Sequence, residues 1–405
     1  MFVQRGVGAL AAAMALLLMV AGCAVTMDGV AMPDLDATES VLALDPGHHP
    51  TTPKPPLGAA GPEGHLVEAR RMAEALTQPF QVDPDLGTGG AISRGDGVIE
   101  DAVAVENVFP APLPAGADHN FVAGFAVLRD NKGVQEKSLH NALLRFATPE
   151  DAAAAAEDMA GRVRGSVTFF EMDTSFAAWP VAIPRYPESK GIAFELYSSQ
   201  GVLALTTRGP FILGQSTLSI DGWEAAAELV ADTLDKQIPM LDGFTPTPVD
   251  QLAELPLDPD GVLARTLPLP PEIDPGVSVG TYGPHGYLTY SADPVRDQEL
   301  FEETGVTVIA KSGATVYQAR DGAAAENLLD EFAERARNEL GFRDSDGVVG
   351  LPEAVCFTRE RTSATRRNQH YCLATADRYL MQILAANPYA ARQMLAAQYL
   401  MLTAE

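Results

Sequence analysis

The chain has 405 residues, 46% of them hydrophobic, and a formal net charge of −26. That apolar content supports full hydrophobic cores and excludes a chain disordered throughout. The charge excludes nucleic acid, which needs clustered Lys and Arg on its phosphates, and it opposes docking on anionic headgroups by general attraction.

Residues 1–22 hold one cation, Arg5, then the uncharged apolar run Val7–Val20, then the small pair Ala21-Gly22. This is the layout of a secretory signal peptide. The run is shorter than the roughly 20 residues a spanning helix needs. Val20-Ala21-Gly22-Cys23 resembles the lipobox of bacterial lipoproteins. The resemblance implies that the Cys23 thiol receives a diacylglycerol and that cleavage leaves Cys23 first. Two acyl chains hold stably where one does not. The expected location is therefore the cell membrane, lipid-anchored, on its extracytoplasmic face.

Residues 23–62 contain Pro33, Pro46, Pro50, Pro53, Pro55, Pro56 and Pro62 and read as a flexible tether of about 35 Å typical reach. The exposed pair His48-His49 lies within it.

Gly64–Leu76 reads as a helix, with Leu66, Ala69, Met72, Ala73 and Leu76 on one face and Arg70, Arg71 and Glu74 opposite. Phe121–Leu128 and Ala142–Ala147 read as strands. Thr148-Pro149-Glu150-Asp151 is a helix start, with Thr148 capping and two acids at the positive end of the dipole. Ile192–Ser198 and Val202–Thr207 form a hairpin around Ser199-Gln200-Gly201, followed by a strand at Phe211–Leu218. A helix over Gly222–Gln237 takes Asp221 as its cap. Residues 246–275 carry eight prolines and read as an interdomain linker.

The second half repeats the plan. Ala314–Ala319 is a strand. Asp321 caps a helix in which Ala325, Leu328, Leu329, Phe332, Ala336 and Leu340 share a face. Ala354–Thr358 and His370–Thr375 form a hairpin, Tyr379–Ala385 is a strand, and Asn387-Pro388 opens a last helix. The expected fold is α+β: two similar domains, 63–245 and 276–405, each an antiparallel sheet covered by helices. The repeat rests on element order.

With Cys23 lipidated, Cys356 and Cys372 remain, and an exported pair facing across a hairpin reads as a disulfide. The alternative is two reduced thiols. There is no C-x-x-C.

The lipobox, the tether and two α+β halves, together with GPEGHLVEARRMAEAL…PFQVDPDL (61–86) and LRFATPEDAAAAAEDM (144–159), resemble the uncharacterised two-domain envelope lipoproteins of actinobacteria. That resemblance implies an address and a fold but no reaction. A weaker likeness is to extracytoplasmic sensor domains of membrane kinases and related lipoproteins.

No H-E-x-x-H, phosphate loop or G-x-G-x-x-G occurs, so no cofactor or metal site is expected. Asp344-Ser345-Asp346-Gly347 and Asp258-Pro259-Asp260-Gly261 lack the later ligands of a calcium loop and read as turns. Trp179 and Trp223 read as core. Against the acidic background, Arg359, Arg361, Arg366, Arg367 and His370 crowd the loop closed by Cys356 and Cys372, opposed by Glu360 alone. They suit a phosphate or carboxylate on a cell-wall polymer, lipid or envelope protein; the alternative is a solvated tip that deters edge pairing. The function expected is a non-enzymatic binding module, with a dispersed-site cell-envelope hydrolase as rival. An enzyme requires a nucleophile–base pair within hydrogen-bond reach, a binder a groove or patch without one.

Overall fold

The structure, a computed structural model, describes residues 43–87, 96–131, 136–169, 172–270, 272, 277–361 and 368–404. Cys23, Arg366 and Arg367 lie outside the described residues. All the elements below belong to one compact unit that begins at Leu44.

The first half opens with α1 (Gly64–Met72), the short α2 (Pro79–Val82) and β1 (Gly97–Ile99). Long antiparallel strands follow, β2 (Phe121–Asp130) and β3 (Lys137–Phe146), and then α3 (Pro149–Arg162). Thr148 caps α3 as expected, its side chain accepting from the Asp151 amide at 3.1 Å. A meander of β4 (Ser166–Thr168), β5 (Ser175–Ile183), β6 (Tyr186–Leu196), β7 (Ser199–Arg208) and β8 (Phe211–Ser219) leads into α4 (Trp223–Asp242). The sheet order is β1-β2-β3-β8-β7-β6-β5-β4.

The second half holds β9 (Gly280–Tyr282), α5 (Pro284–Tyr287), α6 (Pro294–Thr304), β10 (Val308–Lys311), β11 (Thr315–Gln318) and α7 (Gly322–Asn338). It continues through β12 (Arg343–Ser345), β13 (Val355–Arg359), β14 (Gln369–Ala376), β15 (Tyr379–Ala385) and α8 (Pro388–Thr403). Asp321 and Asn387 cap α7 and α8, accepting from Ala324 and Ala390 amides at 2.9 and 2.8 Å. The sheet order is β12-β13-β14-β15-β11-β10-β9.

The two orders are one topology. An edge strand, a hairpin, a crossover helix and a meander whose last strand returns beside the hairpin occur in each, followed by a closing helix. β4 is the first half's extra strand. Both sheets are antiparallel with helices on both faces, so the fold is two α+β domains. Three large apolar clusters result. One lies under α3, with Ala152, Ala156 and Met159 against Leu144, Phe194 and Ile212. Another lies under α8, with Leu395, Ala396 and Met401 against Val316, Cys372 and Ile383. The largest runs between the halves, joining the α4 face of the first sheet to the α7 face of the second. The closing helix of one half and the crossover helix of the other therefore both line the shared core, so the repeats pack through unlike faces.

Four local expectations are corrected. The hairpin turn is Tyr197-Ser198, not Ser199–Gly201, because pairing continues to Glu195↔Gln200 and Leu196↔Ser199. Tyr197 takes the positive φ of 54° that a two-residue turn demands. Gly201 instead lies within β7, where a Cβ would collide with the Phe194 ring and the Thr217 carbonyl. Gly222 at φ 100°, not Asp221, precedes α4, which runs on to Asp242 through Pro239. The polar face of α1 is not all solvated: Arg70 is buried and donates to the Val277 carbonyl at 3.4 Å, because the second half packs over it. The elements β1, β4, β5, β9, β10, β12 and α6 carried no clear period and were not expected.

Residues 45–60, expected as the far part of the tether, run along the body. Asp45 accepts from Tyr389 and Gln393 of α8 at 3.0 and 2.9 Å. Lys54 and Ala60 amides donate to Ala264 and Leu255 carbonyls. The prolines hold this segment extended, and the proline-rich stretch beside it offers free carbonyls in return.

Candidate functional site

Strand alternation sends odd and even residues of β13 and β14 to opposite faces. Cys356 and Cys372, paired directly across the ladder, face α8. Phe357, Arg359, Gln369 and Tyr371 face α7. Gln382 and Leu384 of β15 and Tyr317 of β11 continue that floor. Phe332 and Arg335 come down from α7, Asp297 comes from α6, and Tyr287, Tyr290 and Ser291 form a side wall. These groups enclose a cavity of about 350 Å³ with Leu384, more than half exposed, at its mouth. That size is within the range of small-molecule sites.

The cavity's chemistry centres on Arg335, which is 5% exposed. Its Nη1 donates to Asp297 Oδ1 at 2.6 Å, while Nε and Nη2 are buried without a hydrogen-bond partner. Ser291 donates to the other Asp297 oxygen. Burial pushes the Asp297 carboxyl up from its ordinary range, although Arg335 and Ser291 draw it down. Tyr317 donates to Gln382 Oε1 at 2.8 Å and lies 3.3 Å from the Tyr287 hydroxyl. Burial raises the Tyr287, Tyr317 and Tyr371 phenols, so each stays protonated at neutral pH. Arg359 stands at the rim, its guanidinium 4.4 Å from the Phe342 centroid. It donates through Nη1 to the Leu340 carbonyl at 2.6 Å and through Nε to Gln369 at 3.0 Å. Two guanidinium groups and one carboxyl therefore line an aromatic cavity in a strongly acidic chain.

Of the anion-site residues singled out from sequence, Arg359 alone among the described ones lines this cavity. Arg361 is exposed at the hairpin tip, where its amide donates to Asn368. His370 is buried on the α8 face, its Nδ1 unpartnered and its pKa lowered by burial and by Arg392. Arg359 and His370 thus sit on opposite faces of the sheet and do not form one site. Cys356 and Cys372 form a disulfide, with Cα atoms 4.1 Å apart. Trp179 and Trp223 pack partly buried on the shared core. Asp258 accepts from the Leu263 and Ala264 amides as a turn, and Asp344 pairs with Arg337 at 2.8 Å.

Sequence reasoning missed Arg335 and Asp297. The available signal was Arg335 lying three positions after Phe332, on the apolar face of α7. A larger concavity of about 770 Å³, lined by His65, Glu100, Asp101, Glu106 and Asp118, is open and acidic and holds no buried unpaired group.

Family profiles match nearly the whole folded region. The N-terminal domain of unknown function DUF7373 matches residues 56–257, and its C-terminal counterpart matches residues 262–405. A comparison with curated proteins finds no match. Among solved structures, the extracellular domain of PknH from Mycobacterium tuberculosis is similar at 14% identity, with a TM-score of 0.32. The alignment covers 42% of this chain and 97% of that one, a likeness too distant to carry fold or function across.

Proposed function

This chain belongs to the DUF7373 family of paired N- and C-terminal domains of unknown function, and from that premise we propose an extracytoplasmic binding module, held on the membrane by lipid at Cys23, whose C-terminal half takes up a small ligand. One observation carries the reading. A guanidinium edge with two unpaired donors is buried in the wall of an aromatic cavity. Leaving such donors dry costs on the order of 1–3 kcal/mol each, a cost that a bound acceptor removes. The lipobox-like sequence and the short apolar run before it support the address.

The test is purification of the full-length protein from its native membrane, followed by mass spectrometry of the small molecules it releases on denaturation. Leu384→Trp, at the exposed mouth, serves as the blocked control. A species enriched with the unaltered protein and missing from Leu384→Trp is expected. Identical profiles from the two proteins would overturn the reading. For the address, Cys23→Ala should move the protein from the detergent phase to the aqueous phase on Triton X-114 partition.

A further inference from the structure

We propose that the cavity takes a small amphiphilic carboxylate, which on entry uncovers the buried Nε–Nη2 edge of Arg335 and seats its two oxygens there, its apolar body lying against Phe332, Phe342 and Tyr371 toward Leu384. This rests on reading the cavity as the binding site, and it adds the chemical class.

The geometry of the guanidinium points to this class. Nη1 is committed to Asp297, so the donors left over are Nε–H and Nη2–H. These two share the side-on edge of the guanidinium. They form a flat fork whose two parallel N–H groups match the two oxygens of a carboxylate. Because both nitrogens can only donate, the matching group must set an acceptor against each. A primary amide laid on the fork brings its NH2 against one of them, and an alcohol has one oxygen for two donors.

Charge agrees. Arg335 and Arg359 outweigh Asp297, the one acid in the lining. An entering anion therefore meets a local positive field in a chain of net charge −26. Size sets the body. About 350 Å³ corresponds to roughly a dozen water volumes, and so to about that many non-hydrogen atoms. The walls favour a ring or short acyl chain: Phe342 and Tyr371, in ring contact at 5.7 Å by centroid, make a continuous apolar wall, and Leu340 and Leu384 close the outer side. A phosphate would bring a second negative charge into this mostly apolar site with a single free fork to receive it.

The experiment is calorimetric titration of the full-length protein with octanoate and cinnamate, each against its primary amide, and with octyl phosphate. Binding of at least one carboxylate is expected, at least tenfold tighter than its amide. It should be lost in Leu384→Trp. Arg335→Lys, which keeps the charge but not the fork, should weaken carboxylate binding about tenfold with an unchanged far-ultraviolet spectrum. Because Arg335 variants risk unfolding, the amide comparison and the exposed-mouth block decide the matter on an intact fold. Amides equal to carboxylates, tighter binding of octyl phosphate, or titration undisturbed by Leu384→Trp would each overturn the proposal. A pocket-bound molecule without a carboxylate, recovered from the native membrane, would remove the ligand class and leave the cavity as a binding site. If neither the membrane preparation nor any of these compounds yields a bound molecule, both readings fall.

Discussion

Nη2 of Arg129 lies 2.8 Å from the carbonyl oxygen of Thr289. Arg129 is on β2 in the first half, and Thr289 closes the turn after α5 in the second. The same nitrogen reaches the Leu288 and Ser291 carbonyls at 3.1 and 3.3 Å, and Nη1 reaches Leu128 at 2.8 Å. The last carbonyls of a helical turn carry partial negative charge, so a buried cation is favourably placed there. The clamped segment also supplies Tyr290 and Ser291 to the cavity wall. One half therefore sets the position of the other half's cavity wall.

Arg129→Met should accordingly destabilise the protein by about 3–5 kcal/mol, as the loss of one partner in a buried ionic network does. Asp96, 4.0 Å from Arg129, would lose its cation as well. Urea unfolding measures the loss, and amide hydrogen exchange should speed up over residues 288–291. An unchanged unfolding midpoint would mean that the clamp contributes nothing.

The Cys356–Cys372 bond closes a loop with a sequence separation of 16. Constraining a loop of that size in the unfolded chain is worth about 3 kcal/mol. The double variant Cys356→Ser/Cys372→Ser should lose about that much in denaturant unfolding. Under reducing conditions the unaltered protein should fall to meet it. Equal stability of oxidised and reduced protein would contradict this.

Lys311 lies with Nζ 3.9 Å from the Tyr290 ring centroid, and burial lowers its pKa to about 8. The folded chain gives up that proton near pH 8, the unfolded chain nearer its ordinary 10.5. Between these values the unfolded state binds more protons, so stability should rise with pH by about 2 kcal/mol from pH 8 to 10. The buried phenols act in the opposite sense. Tyr282 is pushed to about 12, and burial raises Tyr290 and Tyr317 well above their ordinary value, so unfolding is favoured once unfolded tyrosines ionise above about 10. Thermal unfolding scans across this range should show a maximum between the two. Lys311→Met should abolish the rise and keep the fall.

Asp321 and Asn387 each accept an amide hydrogen bond at the start of a long helix. Replacing either with Ala should cost about 1 kcal/mol, and the double replacement about twice that, since the caps share no partner. Chemical denaturation resolves both. A double variant no weaker than either single one would show that the helix starts are held by packing alone.

What the sequence determined by itself is local. Caps at Thr148, Asp321 and Asn387, the strand periods of β2, β8 and β15, and the Cys356–Cys372 pairing are set within a few residues or one hairpin. Each was legible, and together they gave two antiparallel sheets covered by helices. Even the separation of Arg359 from His370 was readable, because Cys356 opposite Cys372 sets the register and alternation does the rest. The short edge strands β1, β9 and β12 were not legible, since three residues carry no period and owe their pairing to the strand beside them. Tertiary structure alone decided the burial of Arg70, the Arg129 clamp and the cavity around Arg335. In each case an ordinary surface-type residue is enclosed by a segment more than a hundred positions away, or by the joint packing of α5, α6, α7, β11, β13, β14 and β15. No local rule in the chain encodes that enclosure, because burial belongs to the packed assembly and not to the segment that is buried.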